Sequence, residues 1–184
     1  ILYGGYNTLQ SDLSINFLAY GEMRGDAFYN NAFNVNADKV VNNSLDNNIF
    51  WASWYNYYRV IKQANAVIKF TPQVLEAGGI SAEKADDVMG QAYCLRAFTY
   101  FWIIRIWGDA PLVTAPYLDS NDSFDLPKAA VADIVEQIHS DLENASNMID
   151  KNSTSRTTFT QTAAYAINAH VYAWEHKYEE TINM

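Results

Sequence analysis

From Ala92 to Trp107 the chain reads AYCLRAFTYFWIIRIW, apolar nearly all round and interrupted by two guanidinium groups, Arg96 and Arg105. A helix without a polar face must be buried on several sides, in lipid or at the centre of a helical core. A bilayer-spanning helix needs about 20 apolar residues, and arginines are costly in hydrocarbon. This stretch is shorter and carries two of them. It therefore predicts the central helix of a water-soluble core, over 82–107, with Ser81 suited to cap its start and Gly108 to stop it. A buried guanidinium needs a partner. Glu22 and Asp26, four residues apart, are the carboxylates read as pairing Arg96.

The flanking segments supply helices for that core to pack against. Tyr6, Leu9, Leu13, Phe17 and Leu18 recur at helical spacing over 6–19. Trp54, Tyr58, Ile61, Asn65 and Ile68 make one continuous face over 49–70, which predicts a helix with Trp54 and Tyr58 in the core, closed at or just before Pro72. Gly78-Gly79 makes the turn. Pro127 suits the first turn of a fourth helix, whose apolar stripe runs Val131, Ile134, Val135, Ile138, Leu142, Ala145 and Ile149. A fifth helix is expected over 162–175, a break at His176-Lys177, and a sixth helix from Tyr178. The small residues Ala163, Ala164, Ala166 and Ala169, followed by the Tyr178-Glu179-Glu180 step, resemble a tetratricopeptide helix-turn-helix. The expected fold is all-α, with tetratricopeptide-like helix pairs and long irregular loops, forming one helical domain over 1–184 that reads as a fragment of a longer chain.

The charge pattern narrows the partners. The formal net charge is −9, and nine acids face a single base, Lys128, between Asp109 and Asp150. Such a chain is repelled by phosphate backbones, which argues against a nucleic-acid partner. The one cysteine, Cys94, permits no internal disulfide, and no His, Cys or carboxylate spacing suggests a metal site or cofactor. The Asn/Asp-rich loop has oxygen ligands for Ca²⁺ but no EF-hand spacing. No Gly-x-Ser-x-Gly motif, nucleophile triad or Gly-rich phosphate loop is present. An enzyme acting on glycosides would need two facing carboxylates, and nothing around Glu22 and Asp26 marks them as that pair.

Binding without chemistry fits better. Eight asparagines fall between Asn30 and Asn48, in what reads as a long loop over 20–48. Sugar recognition needs flat aromatic faces beside amides and carboxylates that bond hydroxyls. The span 26–51 provides both, and the candidate ligand-binding residues are Asp26, Asn30, Asn31, Asn47, Asn48 and Trp51.

Several stretches carry a more specific resemblance. Gly21-Glu22-Met23-Arg24-Gly25-Asp26, the helix Trp54-Tyr55-Asn56-Tyr57-Tyr58-Arg59-Val60-Ile61-Lys62-Gln63-Ala64-Asn65, and Leu95-Arg96-Ala97 come first. Arg105-Ile106-Trp107-Gly108-Asp109-Ala110-Pro111-Leu112-Val113, then Ile138-His139-Ser140-Asp141-Leu142 and Thr162-Ala163-Ala164, follow in order. Together they are similar to the SusD/RagB family over about the whole chain. Trp107 stands where Tyr is commoner, Gln91 where Glu is commoner, and Lys128 where an Arg usually follows the proline. The resemblance implies the N-terminal, tetratricopeptide-like part of a non-catalytic glycan- or nutrient-binding lipoprotein. Such a protein sits at the outer-membrane cell surface, held by a lipid anchor outside this fragment, and works with a SusC-type TonB-dependent transporter. The alternative reading is a helical-repeat adaptor that binds a protein partner in a concave groove.

Overall fold

The structure is a computed structural model that describes residues 1–25, 28–29, 34–117 and 125–184. Among these residues it is all-α, with one isolated antiparallel bridge between Ala110 and Ala129. The long helix α5 spans Ala82–Trp107, the range expected from its apolar run. It packs against α4 (Tyr55–Glu76) on one side and α6 (Val131–Met148) on the other, with α1 (Leu2–Thr8) and α7 (Gln161–Trp174) also touching it. Its inward residues Leu95, Tyr100, Phe101 and Ile103 are almost wholly buried. No helix among the described residues is long and apolar enough to cross a membrane.

The helix ends follow local chemistry. Ser81 caps α5 by accepting the Lys84 N–H, and Thr160 caps α7 by accepting that of Ala163. Gly108, at φ 72°, ends α5. The expectation that Pro72 closes α4 is corrected: the helix runs on to Glu76 with Pro72 inside it, on the exposed side. Only one intrahelical bond is lost at a proline, and the flanking Thr71 and Val67 stay buried. The stop comes instead from Gly78 at φ 70°, where the Gly78 N–H bonds the Leu75 carbonyl at 2.9 Å and the Gly79 N–H bonds that of Val74 at 2.9 Å. This reciprocal pair satisfies the terminal carbonyls, and it needs a residue tolerant of the left-handed region.

Three further expectations are adjusted. The first helical segment begins at Leu2 and continues through wider π turns at Leu9–Leu13 and Leu18–Glu22, with the short α2 (Ser14–Phe17) between them. The span read as a loop over 20–48 contains α3 (Val35–Val41): Asn34 caps it by accepting the N–H groups of Asn36 and Ala37, and Ala37 and Val40 are buried. An asparagine that competes with the backbone in a loop also caps a helix. Finally, α6 starts at Val131 rather than at Pro127, because Ala129 pairs with Ala110 and keeps 127–130 extended. Asp109 Oδ1, from the far side of that bridge, accepts the Val131 N–H at 3.0 Å. The short α8 (Tyr178–Asn183) follows α7 where expected.

Candidate functional site: an aromatic groove beside a pinned strap

The site is assembled around Arg96. Its guanidinium makes a two-pronged contact with Asp141 of α6, Nε to Oδ2 at 2.8 Å and Nη2 to Oδ1 at 2.7 Å. Nη1 donates to Asn65 Oδ1 of α4 at 2.6 Å and to the Thr114 carbonyl at 2.9 Å. Gln137 adds a bond to Asp141 Oδ1 at 2.8 Å. Arg96 and Asp141 are 4% and 1% exposed, so this charge pair is shielded from water and stands on its hydrogen bonds. Burial opposes the guanidinium's charge, but Asp141's hydrogen bond and charge outweigh burial and hold Arg96 above its ordinary value. The expected pairing with Glu22 or Asp26 is thereby corrected: Glu22 is exposed, and Asp26 lies outside the described residues. A signal for the true partner was present. Asp141 falls on the α6 stripe itself, at helical spacing from Ile134, Ile138 and Ala145.

This network pins the extended strap 111–115 against α4 and α5. Besides the Arg96 bond to Thr114, Asn65 Nδ2 donates to the carbonyls of Val113 at 2.9 Å and Ala115 at 3.3 Å. The Tyr100 hydroxyl accepts the Val113 N–H at 2.6 Å, and the Tyr58 hydroxyl donates to the Pro111 carbonyl at 2.7 Å. Burial, with Tyr117 nearby, pushes the Tyr58 hydroxyl up, so it stays protonated and able to donate. The strap is therefore held by side chains from two helices even though it belongs to neither helix nor sheet.

Between the strap and the first turns of α4 lies a groove of about 460 Å³. Trp54, Tyr55, Tyr58 and Tyr117 give it aromatic walls; Ile61, Pro111, Val113 and Leu126 line it further, with Arg59 and Lys62 at its polar side. Trp54 and Tyr58, expected in the core, are half-buried: each packs on the core and also lines the groove. The two rings stack at 6.0 Å, and Trp107 meets Trp54 edge-on at 5.9 Å, which fixes the indole in place.

Trp54 also lines a second recess of about 380 Å³, with Tyr20, Leu45, Asp46, Asn47, Ile49, Ala52, Ile106 and Trp107. The structure thus brings one expected residue, Asn47, to a recess that adjoins the groove. Asn48 is exposed and its N–H donates to Asp46 Oδ1 at 2.9 Å, while Trp51 is half-buried and lines neither recess. Asp26, Asn30 and Asn31 lie outside the described residues. Asp46 is ion-paired with Lys39 at 2.6 Å, and that bond holds its carboxyl below the usual carboxylate range. The sequence places Tyr58 in the core and reads Pro111–Thr114 as extended chain, but marks neither of them, nor Tyr55 and Tyr117, as part of a site. No three His, Cys, Asp or Glu side chains among the described residues converge as metal ligands would. Cys94 is buried, and burial raises its thiol well above the ordinary value, so it stays unreactive.

The described residues form an all-α scaffold of tetratricopeptide-like helix pairs with a strap-walled aromatic groove. The particular family follows from comparison: residues 2–173 match a family model described as "Starch-binding associating with outer membrane", and the chain belongs to this SusD-like family. The SusD-like protein P38 of Formosa agariphila is 28% identical over 184 residues, covering 97% of this chain and 34% of the relative. The SusD-like protein P2 of the same organism is 32% identical over 139 residues, covering 73% of this chain and 26% of the relative. The chain thus spans about a third or less of these curated relatives. A SusD superfamily protein from Bacteroides vulgatus shares the fold with a TM-score of 0.82 at 24% identity, covering 99% of this chain and 40% of that one. A "Laminarin binding SusD-like protein" does so at 0.78 and 19%, covering 98% and 40%.

Proposed function

We propose that the chain is the helical part of a non-catalytic glycan-binding lipoprotein at the outer-membrane surface, working with a SusC-type TonB-dependent transporter in oligosaccharide uptake. The observation that carries this reading is the groove between α4 and the 111–115 strap. Its aromatic faces suit the apolar faces of sugar rings, and the cations and backbone carbonyls beside them suit hydroxyls. The shared wall at Trp54 suggests a ligand longer than one sugar, extending from the groove toward Asn47, with Asn48, Trp51, Asp26, Asn30 and Asn31 as proposed outer contacts. Among the described residues that line the groove there is no carboxylate, which supports holding rather than hydrolysis. Family membership and the name of the laminarin-binding neighbour point the same way.

Calorimetric titration of the full-length protein with laminarin, malto- and galacturono-oligosaccharides tests the proposal. Binding of at least one series is expected, with Trp54→Ala lowering its affinity by about tenfold or more, since a stacked aromatic contributes on the order of 1–3 kcal/mol. Wild-type affinity in the Trp54→Ala protein, with its fold intact by circular dichroism, would remove the groove from the function. Co-purification of the lipid-modified full-length protein with its transporter tests the uptake role.

A further inference from the structure

The charge that the described residues bring to the groove runs against that of the chain. The net charge is −9, yet among the described residues the charged side chains that line the groove, Arg59 and Lys62, are both cationic. Tyr55, Arg59 and Lys62 share one face of α4 at helical spacing. The Arg59 guanidinium lies 5.8 Å over the Tyr55 ring; its Nη1 also meets Asp12 Oδ2 at 3.2 Å and Asn56 Oδ1 at 3.1 Å, which fixes its position and partly offsets its charge. Lys62 is exposed and forms no ion pair among the described residues. A third cation lies nearby: Lys128 is exposed and does not itself line the groove, but its Nζ lies 5.7 Å over the ring of Trp54, which lines both recesses. Lys128 is the one base among nine acids between Asp109 and Asp150. The neighbouring Asp125 is exposed and does not line the groove.

Cations donate to the hydroxyls of any sugar, but an anionic sugar adds a charge attraction that a neutral one does not. Two cations over aromatic rings, Arg59 and Lys128, with Lys62 beside them, match a sugar ring whose substituents are anionic. We propose that the saccharide held in this groove is acidic, carrying carboxylate or sulfate groups that Arg59, Lys62 and Lys128 meet while its rings lie on Trp54, Tyr55 and Tyr58. The inference rests on the glycan-binding reading above and names the ligand class for the same groove.

The experiment compares tetrasaccharides of equal length by calorimetry with the full-length protein. Tetragalacturonate supplies carboxylates, a sulfated carrageenan tetrasaccharide supplies sulfates, maltotetraose and laminaritetraose are neutral, and inorganic sulfate and polyglutamate carry charge without a sugar. At low salt, at least one acidic tetrasaccharide is expected to bind about tenfold or more tighter than either neutral one, with the gap narrowing at high salt. Which acidic sugar binds tells carboxylate from sulfate. Lys62→Gln and Lys128→Gln are each expected to weaken the acidic sugar about two- to fivefold, as partly exposed charge contacts do, and to flatten its salt dependence. Neutral sugars that bind as tightly as acidic ones, with both lost in Trp54→Ala, overturn the acidic preference and keep the glycan reading. Equal binding of polyglutamate overturns the acidic-sugar assignment as mere charge attraction. Binding of no sugar, or sugar binding indifferent to Trp54→Ala, overturns the glycan reading itself.

Discussion

At the residue scale the decisive feature is a charge placed where none should be comfortable. Arg96 sits in the most apolar helix of the chain and is satisfied by Asp141, Asn65 and the Thr114 carbonyl, so that one side chain reaches α6, α4 and the strap together. A buried pair of this kind is expensive to break and cheap to replace. Arg96→Met alone is expected to lose about 3–5 kcal/mol, because it leaves the Asp141 carboxylate buried without its cation. Asp141→Leu alone is expected to lose a similar amount, and the double variant much less than the sum of the two. Urea denaturation of the four proteins measures this cycle; additive losses would mean that the pair does not act as a unit. The double variant carries a second consequence. It removes the Arg96 bond to Thr114, so saccharide affinity is expected to fall even where stability recovers. The need for a partner at Arg96 was legible in the sequence, but its identity was not. The pairing spans 45 residues, and periodicity ranks positions on a helix face without saying which face meets which.

At the element scale the best-read helix is the one with the most uniform composition. Ala82–Trp107 matched its expected limits because a capping serine, an apolar run and a glycine at positive φ all point to the same ends. The expectations that moved were those where one residue type has two uses. Asn34 reads as loop and caps a helix; Pro72 reads as a stop and sits within one; Pro127 reads as a start and belongs to extended chain. The strap itself was legible as extended chain at Pro111–Thr114. Its role as a groove wall was not, since that depends on tyrosines from two different helices. The α5–α6 contact depends on closeness at Gly90, which the sequence marks only as a glycine in a helix. A Cβ there would lie 2.8 Å from the Ile149 backbone nitrogen and 2.8 Å from Ile149 Cγ1. Gly90→Ala would gain about 1 kcal/mol in helix propensity at an open site. Here the collision with backbone outweighs that gain, and a net loss of about 1–3 kcal/mol is expected, read as a lower thermal midpoint. A raised midpoint would show that α5 and α6 can part at no cost.

At the scale of the whole molecule, the helices are tied across the core's edge by a relay distant in sequence. The Tyr6 hydroxyl of α1 donates to Gln91 Oε1 at 3.1 Å and accepts the Phe159 N–H at 2.9 Å. Gln91 Nε2 donates to Asp87 Oδ2 at 3.0 Å, Lys84 Nζ reaches the same oxygen at 2.9 Å, and the Asp150 N–H points to Asp87 Oδ1 at 3.4 Å. One carboxylate therefore links the start of α5 both to the segment after α6 and, through Gln91, to α1. Burial raises the Asp87 carboxyl, but the bonds from Lys84 and Gln91 outweigh it and hold the group below its ordinary value of 3.8. A carboxyl whose value is lower folded than unfolded contributes its full stability above the unfolded value and loses it as pH falls through the folded one. Asp87→Asn is therefore expected to be less stable than wild type by about 1 kcal/mol at neutral pH, some 2–4 °C in thermal midpoint. That gap should hold steady down to about pH 5 and close as the pH drops past 3.8. Thermal unfolding of both proteins across this range checks it. A gap that stays constant from about pH 5 to the lowest pH at which both proteins fold would mean that the relay works through its neutral hydrogen bonds and that the charge on Asp87 adds nothing.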